Sequence, residues 1–258
     1  MRVTVLQSPL AWEDPKTNRD HFIAKIQAIQ HCDLVVLPEM FSTGFSMKPH
    51  GKAHTEAELN AYLAPFLELA MQKQLHIAGS LMVQNSEGAY FNRLVVLTPY
   101  GKREEYNKRH LFAFAGENDA YSAGNQHLQI EIAGHQVAFF ICYDLRFPVW
   151  IRNRKNNPYD VAVFTANWPA VRINAWNTLL KARAIENQCF VVAANRVGKD
   201  NNDIEYNGMS QMIDAYGDIM AYSRDEESVL SATLDMEILK AFREKFPVLN
   251  DADDFTLR

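Results

Sequence analysis

Short runs rich in β-branched and aromatic residues alternate along the chain with longer stretches whose apolar residues recur every three or four positions. That alternation predicts a layered α/β fold. Strands are expected at Val3–Gln7, Asp33–Leu37, His76–Val83, Arg93–Thr98, Gln136–Ile141, Val161–Thr165, Cys189–Ala194, Met209–Ile213 and Ser228–Thr233. Helical spacing marks Lys16–Gln30, Glu56–Lys73, Phe147–Asn156, Asn174–Asn187 and Met236–Lys245, with Asn174 placed to cap the fourth. Asn85-Ser86-Glu87-Gly88 and Ala215-Tyr216-Gly217-Asp218 read as hairpin turns, so the sheets should be mixed rather than wholly parallel. No Gly-, Ser- or Pro-rich linker divides the 258 residues, and a single domain spanning 1–258 is expected.

Composition narrows the partners. Hydrophobic residues make up 48% and charged residues 22%, which suits a folded globular chain rather than a disordered one. A net charge of -5 offers no general attraction to phosphate backbones, and the most basic stretch, Lys102 to His110, is interrupted by Glu104 and Glu105. Nucleic acid is not an expected partner. The first apolar stretch is broken by Gln7 and Ser8 and has no small-residue cleavage site, so it reads as a strand and not as a signal peptide. No apolar run approaches the roughly 20 residues that span a bilayer, and no membrane partner is expected. Cys32, Cys142 and Cys189 are odd in number and widely spaced, which suits free thiols in a reducing cytoplasm.

Three segments carry candidate chemistry. In VAFFICYDLRFP (137–148) an apolar run ends in Cys142 and turns towards a helix at Pro148, a place where a thiol meets free backbone N–H groups. In DLVVLPEMFSTGF (33–45) Glu39 follows a buried strand, with apolar neighbours Met40, Phe41 and Phe45 that suit a general base. In REEYNKRHLFAFAGEN (103–118) Lys108 precedes His110, Leu111, Phe112 and Phe114, which are expected to strip water from it. A desolvated ammonium there would lower the pKa of a nearby thiol and hold an oxyanion. Each segment alone has an ordinary reading: a small buried hydrophobe, a solvated loop glutamate, a surface lysine.

Together the blocks LPEMF, NKRHLF and ICYDLRFP, in that order, resemble the signature of the nitrilase superfamily of carbon–nitrogen hydrolases. The resemblance continues through RAIENQCFVVAANRVG (183–198) and YGDIM (216–220). The segments ANWPAVR (166–172) and FREKFPVLNDADDF (242–255) are most similar to the YafV-like ω-amidase branch. The resemblance implies a four-layer αββα sandwich. It also implies catalytic roles for Glu39, Lys108 and Cys142, with Glu117 in AGEN as a second glutamate and the backbone N–H of Tyr143 as an oxyanion donor. It implies a homodimer pairing through the helices after Cys142 and near Asn174, with the tail at about 246–258 at the interface.

The implied activity is hydrolysis of the terminal amide of 2-oxoglutaramate or 2-oxosuccinamate-type 2-oxo acids to the dicarboxylate and ammonia, through a Cys142 thioester. The alternative within the superfamily is a hydrolase of another small amide, an N-carbamoyl acid or a nitrile. Arg172 is the expected receiver of the substrate carboxylate, with Trp168 and Phe41 as walls. Asp144 and Arg146 are assigned to an ion-pair network that shapes the turn, and Cys32 and Cys189 to the core as inert thiols. No step needs a metal or an organic cofactor, and no H-E-x-x-H or paired-cysteine spacing is present. Two readings from other classes are a binding module that has lost catalysis and a redox protein with a peroxidatic Cys142. The presence of Glu39, Lys108 and Cys142 together argues against the first, and the lack of a resolving cysteine in the motif argues against the second.

Overall fold

A computed structural model of the chain describes residues 1–253 and 255. Of the tail expected at an interface (246–258), residues 254 and 256–258 lie outside the described residues. The first sheet is built from β1 (Arg2–Gln7), β2 (Leu34–Val36), β3 (His76–Gln84), β4 (Tyr90–Leu97) and β5 (Arg103–Asn107). The second holds β6 (Leu128–Ile132), β7 (His135–Ile141), β8 (Val161–Thr165), β9 (Phe190–Ala194), β10 (Val197–Lys199), β11 (Glu205–Ile213) and β12 (Ile219–Arg224). The last strand, β13 (Ser228–Thr233), returns to the first sheet and pairs antiparallel with β1. In the first sheet β1, β2 and β3 are parallel and β4 and β5 antiparallel. In the second, β7, β8 and β9 are parallel, flanked by antiparallel β6 and β11.

The two-residue period of the strands sorts the side chains into layers. Val3 and Val5, Leu34 and Val36, Ala78, and Leu94 and Val96 face inwards and join the core shared with the second sheet. Their neighbours Leu6, Val35, Ile77, Val95 and Leu97 face outwards into a separate core beneath two helices. Those helices are α1 (Pro15–Ala28) and α2 (Glu56–Lys73). α1 is capped by Asp14, whose side chain accepts from Thr17 N, and buries Phe22 and Ile26 four positions apart. α2 opens on a reciprocal capping box between Thr55 and Glu58 and buries Leu59, Leu63, Phe66 and Ala70.

The remaining helices are α3 (Glu117–Ala120), α4 (Pro148–Ile151), α5 (Ile173–Asn187) and α6 (Met236–Lys245). Trp176, Leu180 and Ala184 of α5 complete the core on the far side of the second sheet. The order helix, sheet, sheet, helix is the αββα sandwich in one domain.

Several expectations are corrected. Strands β6 and β10 lie outside the expected set, β12 is the second arm of the hairpin expected at 215–218, and the helix expected at 147–156 is a single turn. It ends because buried Asn153 bonds Tyr159 N and Tyr159 O, together with the Asn187 carbonyl, drawing the chain away from helical geometry. Asn174 does not cap α5; that helix begins at Ile173, continuing a 3₁₀ turn over Ala170–Arg172 that removes the need for a side-chain cap.

Candidate active site

The candidate side chains gather at the carboxyl ends of β2, β7 and β8, the edge where open α/β sheets place their sites. Glu39 follows β2 after Pro38, in a turn where Met40 takes a φ of 45°. Cys142 follows β7 and opens a 3₁₀ turn with a φ of 42°, a left-handed conformation that a non-glycine residue keeps only when its surroundings fix it. Lys108 follows β5 and Glu117 opens α3. All four side chains are buried or nearly so.

Lys108 Nζ donates to Glu39 Oε1 at 2.8 Å and to Glu117 Oε1 and Oε2 at 3.0 and 2.9 Å. An ammonium has three N–H bonds, so with one shared across the Glu117 carboxylate a third remains free for another acceptor. Asn92 Nδ2 donates to Glu39 Oε1 at 2.7 Å and to Glu117 Oε1 at 3.2 Å. Glu39 Oε2 accepts the Asn167 backbone N–H at 2.8 Å, and Glu117 Oε2 accepts that of Phe112 at 2.6 Å. Polar donors, rather than the apolar neighbours anticipated from the sequence, surround the Glu39 carboxylate.

Burial alone would drive the proton off Lys108, but Glu117 and Glu39 outweigh it and hold the ammonium charged. Burial pushes the Glu117 carboxyl above its ordinary value, Lys108 opposing and Glu39 adding to the rise. The Cys142 thiol is pushed well above its ordinary value, first by burial, then by Glu39; Lys108 pulls the other way and loses. The expectation that Lys108 sets a lowered thiol pKa is therefore corrected: two carboxylates stand beside one ammonium. The resting sulfur keeps its proton at neutral pH, and reaction at it needs a base. The desolvation of Lys108 also differs in source, since Phe114 is 81% exposed while the Phe45 ring lies 5.3 Å from Nζ.

Asp144 fastens the cysteine turn to the lysine loop. Its Oδ2 accepts from Ile141 N at 3.0 Å and Tyr106 OH at 2.7 Å, and its Oδ1 accepts from His110 N at 3.0 Å and His110 Nδ1 at 2.8 Å. Of the two residues expected in an ion-pair network at this turn, Asp144 meets His110, whereas Arg146 has no acidic partner among the described residues. The turn points Arg146 the other way, over the Trp168 ring at 4.9 Å.

A cavity of about 570 Å³ opens onto Cys142 and is lined by Tyr143, Arg146, Trp168, Arg172 and Phe45, among others. Arg172 lies over the rings of Phe112 and Phe114, at 5.4 and 5.0 Å. Trp168 is fixed by Asn195, which accepts its N–H at 2.7 Å and donates to its carbonyl at 3.0 Å. Phe41 does not face this cavity. It packs beneath the helices with Phe22, Tyr62 and Phe66, against Gly79, where an added Cβ would lie 2.8 Å from the ring. The reversal at Met40 turns Phe41 outwards and leaves Phe45 as the aromatic wall.

Asn92 and Asn167 escaped the sequence reading. Asn92 is a lone amide in the run YFNRLVVLT just ahead of the strand expected from Arg93, and Asn167 stands in the quoted ANWPAVR block. Among the described residues no three His, Cys, Asp or Glu side chains converge as metal ligands would.

Comparison with known proteins agrees with this geometry. The profile of the carbon–nitrogen hydrolase family matches residues 2–244. The chain is 43% identical to the omega-amidase YafV of Yersinia enterocolitica over 258 residues, covering 100% of this chain and 98% of the relative. It is 35% identical to the 2-oxoglutaramate amidase of Bacillus subtilis, covering 96% of each. The fold superposes with a TM-score of 0.95 on the crystal structure of a CN-hydrolase superfamily protein from Xanthomonas campestris that carries an arsenic adduct in its active site. That protein is 39% identical, with 100% of this chain and 99% of that one covered.

Proposed function

This chain belongs to the carbon–nitrogen hydrolase family, and we propose that it is an ω-amidase. In this reading it cleaves the terminal amide of 2-oxoglutaramate or a 2-oxosuccinamate-type 2-oxo acid to the dicarboxylate and ammonia. The observation that carries it is the buried thiol of Cys142 beside an ammonium held between two carboxylates, opening onto a cavity with cations on its wall. The omega-amidase and 2-oxoglutaramate amidase relatives support the choice of substrate.

Glu39 takes the proton from the Cys142 sulfur as that sulfur bonds to the amide carbon, because the raised thiol pKa leaves too little thiolate to act unaided. The carbonyl oxygen becomes an oxyanion between the free N–H of Lys108 Nζ and the backbone N–H of Tyr143, at the head of the 3₁₀ turn. Collapse breaks the C–N bond, and the nitrogen leaves as ammonia with the proton from Glu39. Water then gives a proton to Glu39 and attacks the Cys142 thioester, while Glu117 holds Lys108 in place. The thiol leaves with that proton and the acid is released. No metal or organic cofactor enters any step.

Arg172 receives the 2-oxo acid carboxylate in this reading, with Trp168 and Phe45 as walls. Exposed Val149 on α4 and Ile185 on α5 support a homodimer through those helices. Three unpaired cysteines support a cytoplasmic home, and no helix among the described residues is long and apolar enough to cross a membrane. Ammonia release from a panel of 2-oxo acid amides, simple amides, N-carbamoyl acids and nitriles tests the activity. The expected order puts 2-oxoglutaramate first; a nitrile or an N-carbamoyl acid in that place would overturn the assignment. Elution as a monomer in size-exclusion chromatography would overturn the dimer.

A further inference from the structure

We infer that Asn92 is a positioning residue which decides the oxygen of Glu39 that takes the thiol proton. The inference rests on the reading of Glu39 as the base for Cys142. Asn92 is fully buried on β4, on the face that Leu94 and Val96 turn towards the second sheet. Its two amide protons go to two different carboxylates, Glu39 Oε1 at 2.7 Å and Glu117 Oε1 at 3.2 Å. Its Oδ1 is buried without a partner. An amide accepts that loss only where the opposite orientation is worse, and here the flipped amide would aim Oδ1 at both carboxylates.

Counting acceptor positions gives the consequence. A carboxylate oxygen has two lone pairs in its plane. Glu39 Oε1 accepts from Lys108 and Asn92 and is full, whereas Oε2 accepts only from Asn167 N and keeps one position open. Glu117 Oε1 accepts from Lys108 and Asn92, and its Oε2 from Lys108 and Phe112 N, so no position is left on Glu117. Glu39 Oε2 is the oxygen that receives the proton, and Glu117 serves as a fixed anion that holds Lys108. Asn92 closes Oε1 on both glutamates; Lys108 and Phe112 N close Oε2 of Glu117, so the one open position in the cluster is on Glu39 Oε2.

Asn92→Asp and Asn92→Ser test this on ammonia release, with active sites titrated so that rates refer to folded enzyme. Asn92→Asp replaces a donor by a third carboxylate of the same shape. It should lower kcat by roughly tenfold or more, leave KM within about threefold and move the acid limb of the pH profile upwards, since anions that lose a donor hold protons more tightly. Asn92→Ser, which keeps one donor, should fall between. Leu94→Ala, on the same face but without a bond to the cluster, should lower Tm and leave the limb in place. Asn92 variants with an unmoved limb and normal kcat, from a wild type that releases ammonia, would overturn the inference alone. A wild type that hydrolyses no amide would overturn the activity on which it rests. Should neither Asn92 variant fold, neutron diffraction on the unaltered protein decides: both Asn92 deuterons directed at Glu39 and Glu117 support the inference, and Oδ1 facing either one overturns it.

Discussion

Asn167 binds Glu39 twice, with its backbone N–H on Oε2 at 2.8 Å and its side-chain amide on the Glu39 carbonyl, across 128 residues of chain. Glu39 leaves the first sheet and Asn167 the second, so these bonds clasp the two sheets at the mouth of the site. In the proposed mechanism, a base fixed in this way loses little on reorganising during reaction. Glu39→Gln keeps the shape but sets an NH₂ group against donors. It should fold, and it should lower kcat by about 10²- to 10⁴-fold; near-normal turnover at unchanged Tm would show that the base lies elsewhere.

The proposed role of Lys108 ties fold and reaction together. Lys108→Met leaves Glu39 and Glu117 buried around an uncharged side chain, which should cost about 3–5 kcal/mol of stability and abolish measurable ammonia release. Denaturant unfolding and a steady-state assay on the same sample check both. A variant of normal stability with kcat within tenfold of the wild type would contradict the placement of its charge.

The pH dependence follows from the direction of the Glu117 shift. Its folded-state pKa lies above the ordinary 4.5, so its contribution to stability is full below that value and is lost as pH rises through the folded pKa. Activity runs the opposite way, because protonating the cluster frees a carboxylate from Lys108. The acid limb of kcat/KM should therefore lie above 4.5, and Glu117→Gln should move it down while slowing turnover. A wild-type limb below 4.5 would be inconsistent with the buried cluster.

Specificity separates two arginines on the cavity wall. Arg172→Leu should cost roughly 2–5 kcal/mol in kcat/KM for 2-oxoglutaramate, because a carboxylate would be left unpaired in a desolvated pocket, and much less for neutral amides. A mutation that merely loosened the loop would harm both classes alike. Should the loss be small and equal, Arg146→Leu becomes the discriminating variant, since that guanidinium lies on Trp168 with no acidic partner among the described residues.

Glu39 and Cys142 are legible because each closely follows a strand that the apolar pattern already marks. The lysine segment hid its strand: β5, REEYN, is held to its surroundings by charge, with Arg93 and Arg103 each paired to Glu56 and Glu105, and offers no hydrophobic alternation. Phe41 was misplaced because the backbone reversal at Met40 leaves no mark in residue type. Arg146 falls outside the network expected at the turn because Asp144 is satisfied by Tyr106, His110 and Ile141 N. Asn92 and Asn167 meet the carboxylates at positions that only the packing of one sheet on the other creates.

The account stands on Cys142 as the atom that carries the acyl group. Rapid acid quench of the enzyme during turnover of 2-oxoglutaramate, followed by peptide mass mapping, should find the acyl mass on the peptide bearing Cys142. Hydroxylamine should remove it, and Cys142→Ala should not show it, while Cys32→Ala and Cys189→Ala should. An acyl adduct on any other residue, or ammonia release from folded Cys142→Ala, would contradict the account.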